Sequence, residues 1–295
     1  MDLYSGYRFT KITHHDVYPK IHWKNPELSV KGQNVLISGG GSGIGLATAK
    51  FYAKAGAKTV VITGRRSAPL EEAKDDIRKD SPGTDVVTIP TDVSSKASVD
   101  ALWTTVRAKV GNIHVLVNNA GRSGNSTRLG DGNEIEWWAT QETNLLGTYL
   151  MTEKYISSLK MGGATVKGTV IIIASQMGFV EHPGSSAYSI SKLAVAKLAQ
   201  HIDVEYPTIR AFATHPGIIP TELAKSLGDA AKDTVELGAG LNLYLASPRA
   251  DFLRGRYVTA NWDIEELEAH QSEILAQNML RVGILADIGP EGHEW

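Results

Sequence analysis

The chain has 295 residues, of which 42% are hydrophobic and 21% charged, enough apolar surface for one large domain or two small ones and too much for a disordered chain. Its 30 Lys and Arg against 32 Asp and Glu leave a formal charge of −2, so there is no electrostatic case for a nucleic-acid or polyanionic-membrane binder. Cysteine is absent, which excludes disulfide scaffolds, thiolate metal sites and cysteine nucleophiles, and fits a reducing compartment.

The opening Met1-Asp2-Leu3-Tyr4-Ser5-Gly6 lacks the basic start and apolar stretch of a signal peptide. The densest apolar run, Val170 to Ala174, is far shorter than the ~20 residues that span a bilayer. A cytoplasmic protein without membrane insertion is expected, and Asn125-Ser126-Thr127 then reads as a chance sequon in a polar loop. Residues 1–33 mix His, Tyr, Trp and Pro without a clear period and read as an arm lying on the domain. His14 and His15 are adjacent, not spaced for one helix face, so no metal is expected there.

From residue 34 short β-branched runs alternate with longer helical stretches. The predicted strands are Asn34–Ser38, Thr59–Thr63, Asp85–Ile89, His114–Val117, Thr169–Ala174 and Ile209–Thr214. Between them apolar residues recur at helical spacing, as in Ala97, Leu102, Val106, Val110 and in Leu193, Val195, Leu198, Ile202. Strands apolar on both faces, alternating with helices, predict an α/β fold: a single-domain, doubly wound parallel sheet of Rossmann type over residues 34–260. Residues 221–247 read as helical and Pro248 to Arg256 as a loop. Residues 261–295 read as a helical extension on the same domain, with one polar amphipathic helix from Asp263 to about Leu280 packing through Leu267, Ile274 and Leu275.

The first strand runs into Gly39-Gly40-Gly41-Ser42-Gly43-Ile44-Gly45, and a helical segment follows. Strand, glycine turn and helix together make a pyrophosphate site, because glycines admit close backbone approach and the helix N-terminus offers free N–H groups. Gly39, Gly41, Ser42 and Ile44 are the candidate contacts. The strict G-x-G-x-x-G fingerprint, a Walker A loop and a G-x-S-x-G elbow are all absent. The second strand ends in Gly64-Arg65-Arg66, where an NAD site would carry an acid. Arg65 and Arg66 instead suit a 2′-phosphate and so NADP(H); one charge-assisted contact of ~1.5–3 kcal/mol favours it roughly 10- to 150-fold.

Tyr188 and Lys192 stand four apart and share one helix face. Ser175 closes the apolar strand Val170 to Ala174, at the sheet edge where open α/β proteins place ligands. Carbonyl reduction needs hydride on carbon and a proton on oxygen. An ammonium ~4 Å from a phenol supplies about the 4 kcal/mol that would bring its pKa from ~10 to near 7. Lys192 is therefore expected to lower Tyr188, and Ser175 to hold the substrate oxygen.

With Asp92-Val93, Asn118-Asn119-Ala120-Gly121, Asn144 and Pro216-Gly217 in order between and after these motifs, the chain resembles a short-chain dehydrogenase/reductase of the Ser-Tyr-Lys type over residues 32 to 222. The resemblance implies that Asp92 and Val93 flank the adenine and that the segment Asn118 to Gly121, with Asn118 and Ala120, lines the coenzyme. It implies that Asn144 kinks its helix and holds a water leading from Lys192 to solvent, and that Tyr188 and Lys192 also touch the coenzyme. Pro216, Ile218 and Thr221 would complete its site, Ile218 meeting the carboxamide by its backbone. Leu223 to Ala231 would be a substrate lid and the protein a homodimer or homotetramer. The arm and the long C-terminal end resemble fungal members, including those of secondary metabolism.

Hydride transfer would place a small carbonyl or alcohol substrate near Gln176, Met177, Phe179 and His182. Phe179 and Met177 suit an apolar wall or loop packing equally; His182 suits a surface loop, and Trp137 and Trp138 suit helix packing or subunit contact. The expectation is an NADP(H)-dependent ketone reductase or alcohol dehydrogenase with Asn144, Ser175, Tyr188 and Lys192 as its catalytic set. The alternatives are an NAD-preferring alcohol dehydrogenase, a non-redox cyclase or isomerase on the same fold, and a coenzyme-sensing binding protein.

Overall fold

The structure, a computed structural model, describes residues 8–161, 167–221, 228–229 and 231–284. Seven strands form one sheet: β1 (Asn34–Ser38), β2 (Thr59–Gly64), β3 (Asp85–Pro90), β4 (Val115–Asn118), β5 (Gly168–Ile173), β6 (Ile209–His215) and β7 (Tyr257–Thr259). Their order is β3-β2-β1-β4-β5-β6-β7, and every neighbouring pair is parallel. All carboxyl ends therefore share one edge, and the order reverses between β1 and β4, where doubly wound sheets open a ligand crevice.

Alternation along each strand feeds two cores. Val35, Ile37 and Phe212 face α1 (Gly43–Lys54), α2 (Ser67–Asp80) and α7 (Val235–Ala246). Leu36, Ala211 and Ala213 face α3 (Lys96–Lys109), α5 (Gly147–Met161) and α6 (Ser186–Glu205). Since both faces are covered, the strands carry unbroken Val/Ile/Leu runs. Side chains cap four of the helix starts: Ser95 for α3, Asn133 for α4 (Glu134–Gln141), Thr234 for α7 and Asp263 for α8 (Ile264–Ala269). At α1 the N-cap Ser42 makes no such bond.

The six expected strands are present, the first with the expected ends and the others with ends shifted by one residue. The seventh, β7, is only three residues long and carries too little pattern to stand out. Among the described residues of 221–247 the α-helix is α7; Thr221 and residues 231–234 are not helical, and residues 222–227 and 230 lie outside the described residues. The segment expected to be a loop opens as a 3₁₀ helix, Pro248–Leu253. The expected single C-terminal helix is two, α8 and α9 (Gln271–Ala276), because His270 leaves helical geometry at φ −105°, ψ 17°. Leu267 and Ile274 are buried as expected, whereas Leu275 is exposed. In the arm, 3₁₀ turns at Pro19–Ile21 and Pro26–Leu28 press Ile21 and Leu28 into the core beside α1 and α7. Among the described residues no helix is long and apolar enough to cross a membrane.

Candidate active site

The turn after β1 is shaped by missing side chains. Gly39 and Gly43 have φ of 67° and 52°, values that favour glycine. A Cβ on Gly45 would lie 2.2 Å from the Gly39 carbonyl oxygen, so α1 can start this close to β1 only with glycine there. The turn is stapled to the end of β4. Asn119 Nδ2 donates to the carbonyls of Ser38 (2.9 Å) and Gly39 (3.1 Å), and Ser38 Oγ accepts from the N–H groups of Asn119 and Ala120, both at 3.0 Å. Ser42 and Gly43 are exposed at the start of α1 and no side chain from the N-cap occupies its first N–H groups. This is a cradle for an anionic group, and the residues present fit a dinucleotide pyrophosphate.

Around the cradle stand the other expected contacts. Arg65 and Arg66 are exposed between β2 and α2, and neither forms an ion pair with a described residue. Asp92 holds its own turn, accepting from the Ser94 N–H (3.0 Å) and hydroxyl (2.6 Å), and Val93 is buried against Gly147. Asn118 ends β4. Its buried side chain donates to Thr152 Oγ1 on α5 at 2.9 Å, so it braces the sheet face while its neighbour Asn119 serves the glycine turn.

The polar cluster at the edge of β5 comes from three elements. Asn144 lies in a π-helical turn, Glu142–Leu146, between α4 and α5, the kink expected of it. Its side chain accepts from the Arg122 N–H (2.8 Å) and donates to the Arg122 carbonyl and to Ser191 Oγ, both at 2.9 Å. Gly121 sits between Asn144 and Lys192: a Cβ there would be 3.2 Å from Asn144 Oδ1 and 3.5 Å from Lys192 Nζ. Lys192 Nζ is 5.6 Å from the Tyr188 ring centre and donates to the Ile173 carbonyl at 2.6 Å. Ser175 hydrogen-bonds the Tyr188 hydroxyl and accepts from the Met177 N–H at 3.2 Å. Gly178, which sequence reasoning missed, lets this loop seat on α6; a Cβ there would be 2.9 Å from the Leu193 nitrogen.

Burial dominates the electrostatics. It pushes Tyr188 above its ordinary 10, with the Ser175 hydrogen bond pulling in the other direction. It lowers Lys192 from 10.5 to about 8. The expected lowering of Tyr188 by Lys192 is not seen: desolvation of the phenolate dominates, and the Lys192 ammonium donates to the Ile173 carbonyl.

The turn after β6 is held by a distant carboxylate. Gly217 has φ 110°, and a Cβ on it would lie 2.7 Å from Asp233 Oδ2. That oxygen accepts from the Ile218 N–H at 2.6 Å, and the Asp233 N–H donates to the Ile218 carbonyl at 3.1 Å. The Ile218 N–H is therefore committed within the protein, and only a second lone pair on its carbonyl remains for a ligand. Thr221, on the same turn, reaches over the glycine cradle: its Cγ2 is 3.5 Å from where a Gly43 Cβ would be. His215, just before Pro216, is buried with neither ring nitrogen hydrogen-bonded to a described residue, and desolvation lowers it from 6.5 to about 4. Asp233 and His215 went unnoticed in the sequence, since nothing local marks them.

Of the substrate-side candidates, Gln176 and Met177 are partly buried, and Phe179 packs edge-on against Tyr257 at 4.5 Å. His182 is exposed and bonded to the Pro183 carbonyl, in keeping with a surface loop. Trp137 Nε1 donates to Ser186 Oγ at 3.1 Å, and Trp138 is exposed. Both line a cavity of about 300 Å³ between residues 125–138 and Gly184–Ala187. Most of the expected lid, Leu223 to Ala231, lies outside the described residues. Among the described residues no group of His, Asp and Glu is arranged to hold a metal.

A parallel sheet in this order, with a glycine turn where the order reverses, is the frame of a nucleotide-binding α/β enzyme. Comparison with known proteins narrows the class: the short chain dehydrogenase family profile matches residues 33–232, and the chain belongs to the short-chain dehydrogenase/reductase family. It is 36% identical over 290 residues to the short chain dehydrogenase mpl6 of Monascus purpureus, covering 95% of this chain and 98% of that one. It is 34% identical to the short chain dehydrogenase andI of Emericella variicolor, covering 93% and 95%. A solved short-chain type dehydrogenase/reductase from Mycobacterium marinum superposes with a TM-score of 0.73 at 30% identity, over 79% of this chain and 95% of that one. A gluconate 5-dehydrogenase from Burkholderia cenocepacia, solved with NADP and tartrate, gives 0.72 at 27% identity, over 79% and 95%.

Proposed function

We propose that this member of the family is an NADP(H)-dependent oxidoreductase that interconverts a ketone and a secondary alcohol. The observation that carries the reading is the Ser175–Tyr188–Lys192 cluster, which shares the sheet's carboxyl edge with the uncapped start of α1. The cradle would hold the pyrophosphate. Arg65 and Arg66 would bind the 2′-phosphate, a preference in line with the NADP bound to the Burkholderia relative. Asp92 and Val93 would lie by the adenine, and Ala120, Pro216, the Ile218 carbonyl and Thr221 would line the remainder. When bound, the coenzyme supplies or takes up the hydride.

The chain's own residues manage the proton. Ser175 Oγ donates to the substrate oxygen and holds it beside Tyr188. The Tyr188 hydroxyl gives that oxygen its proton in reduction and recovers it in oxidation. With a pKa of about 8, Lys192 is mostly an ammonium at neutral pH and favours the phenolate left behind. Asn144 clamps Arg122 and Ser191, which keeps Gly121 and the Lys192 side chain in register and supports a proton path to solvent. We further read residues 34–260 as one domain with the arm and C-terminal extension packed on it. Leu146, Tyr149, Ile190 and Leu193 expose apolar surface on or beside α5 and α6, which suits a homodimer or homotetramer.

The test is a fluorescence titration of wild type and Tyr188→Phe with NADPH and with NADH, followed by a panel of ketones. Tight NADPH binding is expected in both proteins, with reduction in Tyr188→Phe lower by about 10²- to 10⁴-fold. Binding of neither coenzyme, or loss of NADPH binding in Tyr188→Phe, overturns the reading.

A further inference from the structure

We infer that His15, in the N-terminal arm, is a positioning residue for the nicotinamide end of the coenzyme site, acting through Asp233 on the Gly217–Ile218 turn. The inference rests on the coenzyme reading above. Asp233 is almost fully buried, and a buried carboxylate must have its oxygens satisfied. They are divided between two distant parts of the chain. Oδ2 accepts from the Ile218 N–H at 2.6 Å, and Oδ1 accepts from His15 Nδ1 at 2.6 Å, the nitrogen that carries the proton because a carboxylate can only accept. Gly217 has no side chain where the carboxylate lies, so Asp233 rests directly on the turn's backbone.

The arm holds this point from several sides. The Thr234 N–H donates to the His15 carbonyl at 3.0 Å, and the Thr234 hydroxyl donates to Asp16 Oδ1 at 2.6 Å. Residues 15–16 therefore grip residues 233–234, and residue 233 grips residue 218. Three positions further along, Thr221 overhangs the glycine cradle. Losing His15 leaves one buried carboxylate oxygen without this donor and frees Asp233 to turn away from Ile218. The 2′-phosphate end, at Arg65 and Arg66, lies on the other side of the sheet order and is not touched by this chain of bonds.

His14 supplies a matched control. Its Nε2 bonds Asp263 at 2.7 Å and its ring stacks on Tyr18 at 3.6 Å, so it anchors the arm as firmly without touching Asp233. The experiment compares wild type, His15→Ala, His15→Gln and His14→Ala. Each is titrated with NADPH and with 2′,5′-ADP, which has the phosphorylated adenosine end and no nicotinamide. Amide hydrogen exchange is measured on the coenzyme-free proteins for the peptide containing Gly217–Ile219.

In His15→Ala, NADPH affinity is expected to fall about 5- to 30-fold with 2′,5′-ADP unchanged, and the Gly217–Ile219 amides to exchange about tenfold faster. His15→Gln restores part of both effects. His14→Ala lowers the melting temperature and changes neither the affinity ratio nor the exchange. The inference is overturned if His15→Ala keeps the wild-type ratio and exchange, or if His14→Ala shifts them equally. Faster exchange in His15→Ala with no NADPH binding in wild type would retain the hydrogen-bond chain and discard the coenzyme reading, and with it the nicotinamide role.

Discussion

Two turns at the carboxyl edge of the sheet do comparable work by opposite means. After β1, backbone is packed on backbone, and the turn keeps its shape because Gly39, Gly43 and Gly45 leave no side chain in the way. After β6, the turn is drawn into place by a carboxylate 15 residues further on, which is itself held by a histidine 218 residues earlier. Steric definition has no intermediate setting, whereas a chain of hydrogen bonds can be loosened by degrees. The first turn should therefore respond to substitution abruptly, and the second in proportion to the bonds removed.

Gly45→Ala is the largest blow to the first turn. Its Cβ would fall 2.2 Å from the Gly39 oxygen and 2.6 Å from Asn119 Nδ2, and the nearest obstacle is backbone that cannot step aside. We expect destabilisation of ~3 kcal/mol or more and loss of both coenzymes. Gly41→Ala, whose Cβ would meet Leu70 at an ordinary 3.4 Å, should be tolerated. Equal behaviour of the two in thermal melts and titrations would end the steric account.

Beside the second turn, His215 gives a pH-dependent counterpart. Its folded pKa of about 4 lies below its ordinary 6.5, so the unfolded chain binds the proton first. Stability is then complete above about 6.5 and is lost as pH falls to about 4, by ~3 kcal/mol for the full shift. His215→Asn should flatten this part of a denaturation-versus-pH curve. A wild-type curve already flat between those values would show that the protonated ring finds a hydrogen-bond acceptor in the folded protein.

The same contrast explains which parts were legible in the sequence. The glycine turn, the apolar strands and the Tyr188/Lys192 spacing are local patterns, because sterics and helical geometry act between near neighbours. Asp233 and His15 look like ordinary loop and arm residues until the fold brings them to Ile218. Asn118 and Asn119 were not separable by sequence either. Strand alternation sends one to Thr152 and frees the other for the glycine turn, and a one-residue difference at a strand end decides it. The break at His270 and the short β7 have no strong local signal. The helical pattern through 267 and 274 is equally satisfied by one helix or by two.

Between the two turns in expected effect lies Arg65→Ala. It removes charge from the adenosine end alone, so NADPH affinity should drop about 10- to 150-fold while NADH affinity stays put. Equal losses for both coenzymes would place Arg65 on the turn's structure and remove the basis for a 2′-phosphate contact.

The smallest effect isolates anchoring of the arm from its action on the second turn. Glu266 accepts the Lys11 and Ile12 N–H groups, each at 2.8 Å, and these bonds are partly open to water. Glu266→Gln places an amide donor against one of those donors, so about one bond is lost, ~1 kcal/mol or a few degrees in the melting temperature. Among the described residues its carboxylate hydrogen-bonds only Lys11 and Ile12, upstream of His15, so the preference for NADPH over 2′,5′-ADP should not change. If Glu266→Gln moved that preference as far as His15→Ala does, the arm would be acting as one rigid strap, and the bond from His15 to Asp233 would be only one of its attachments.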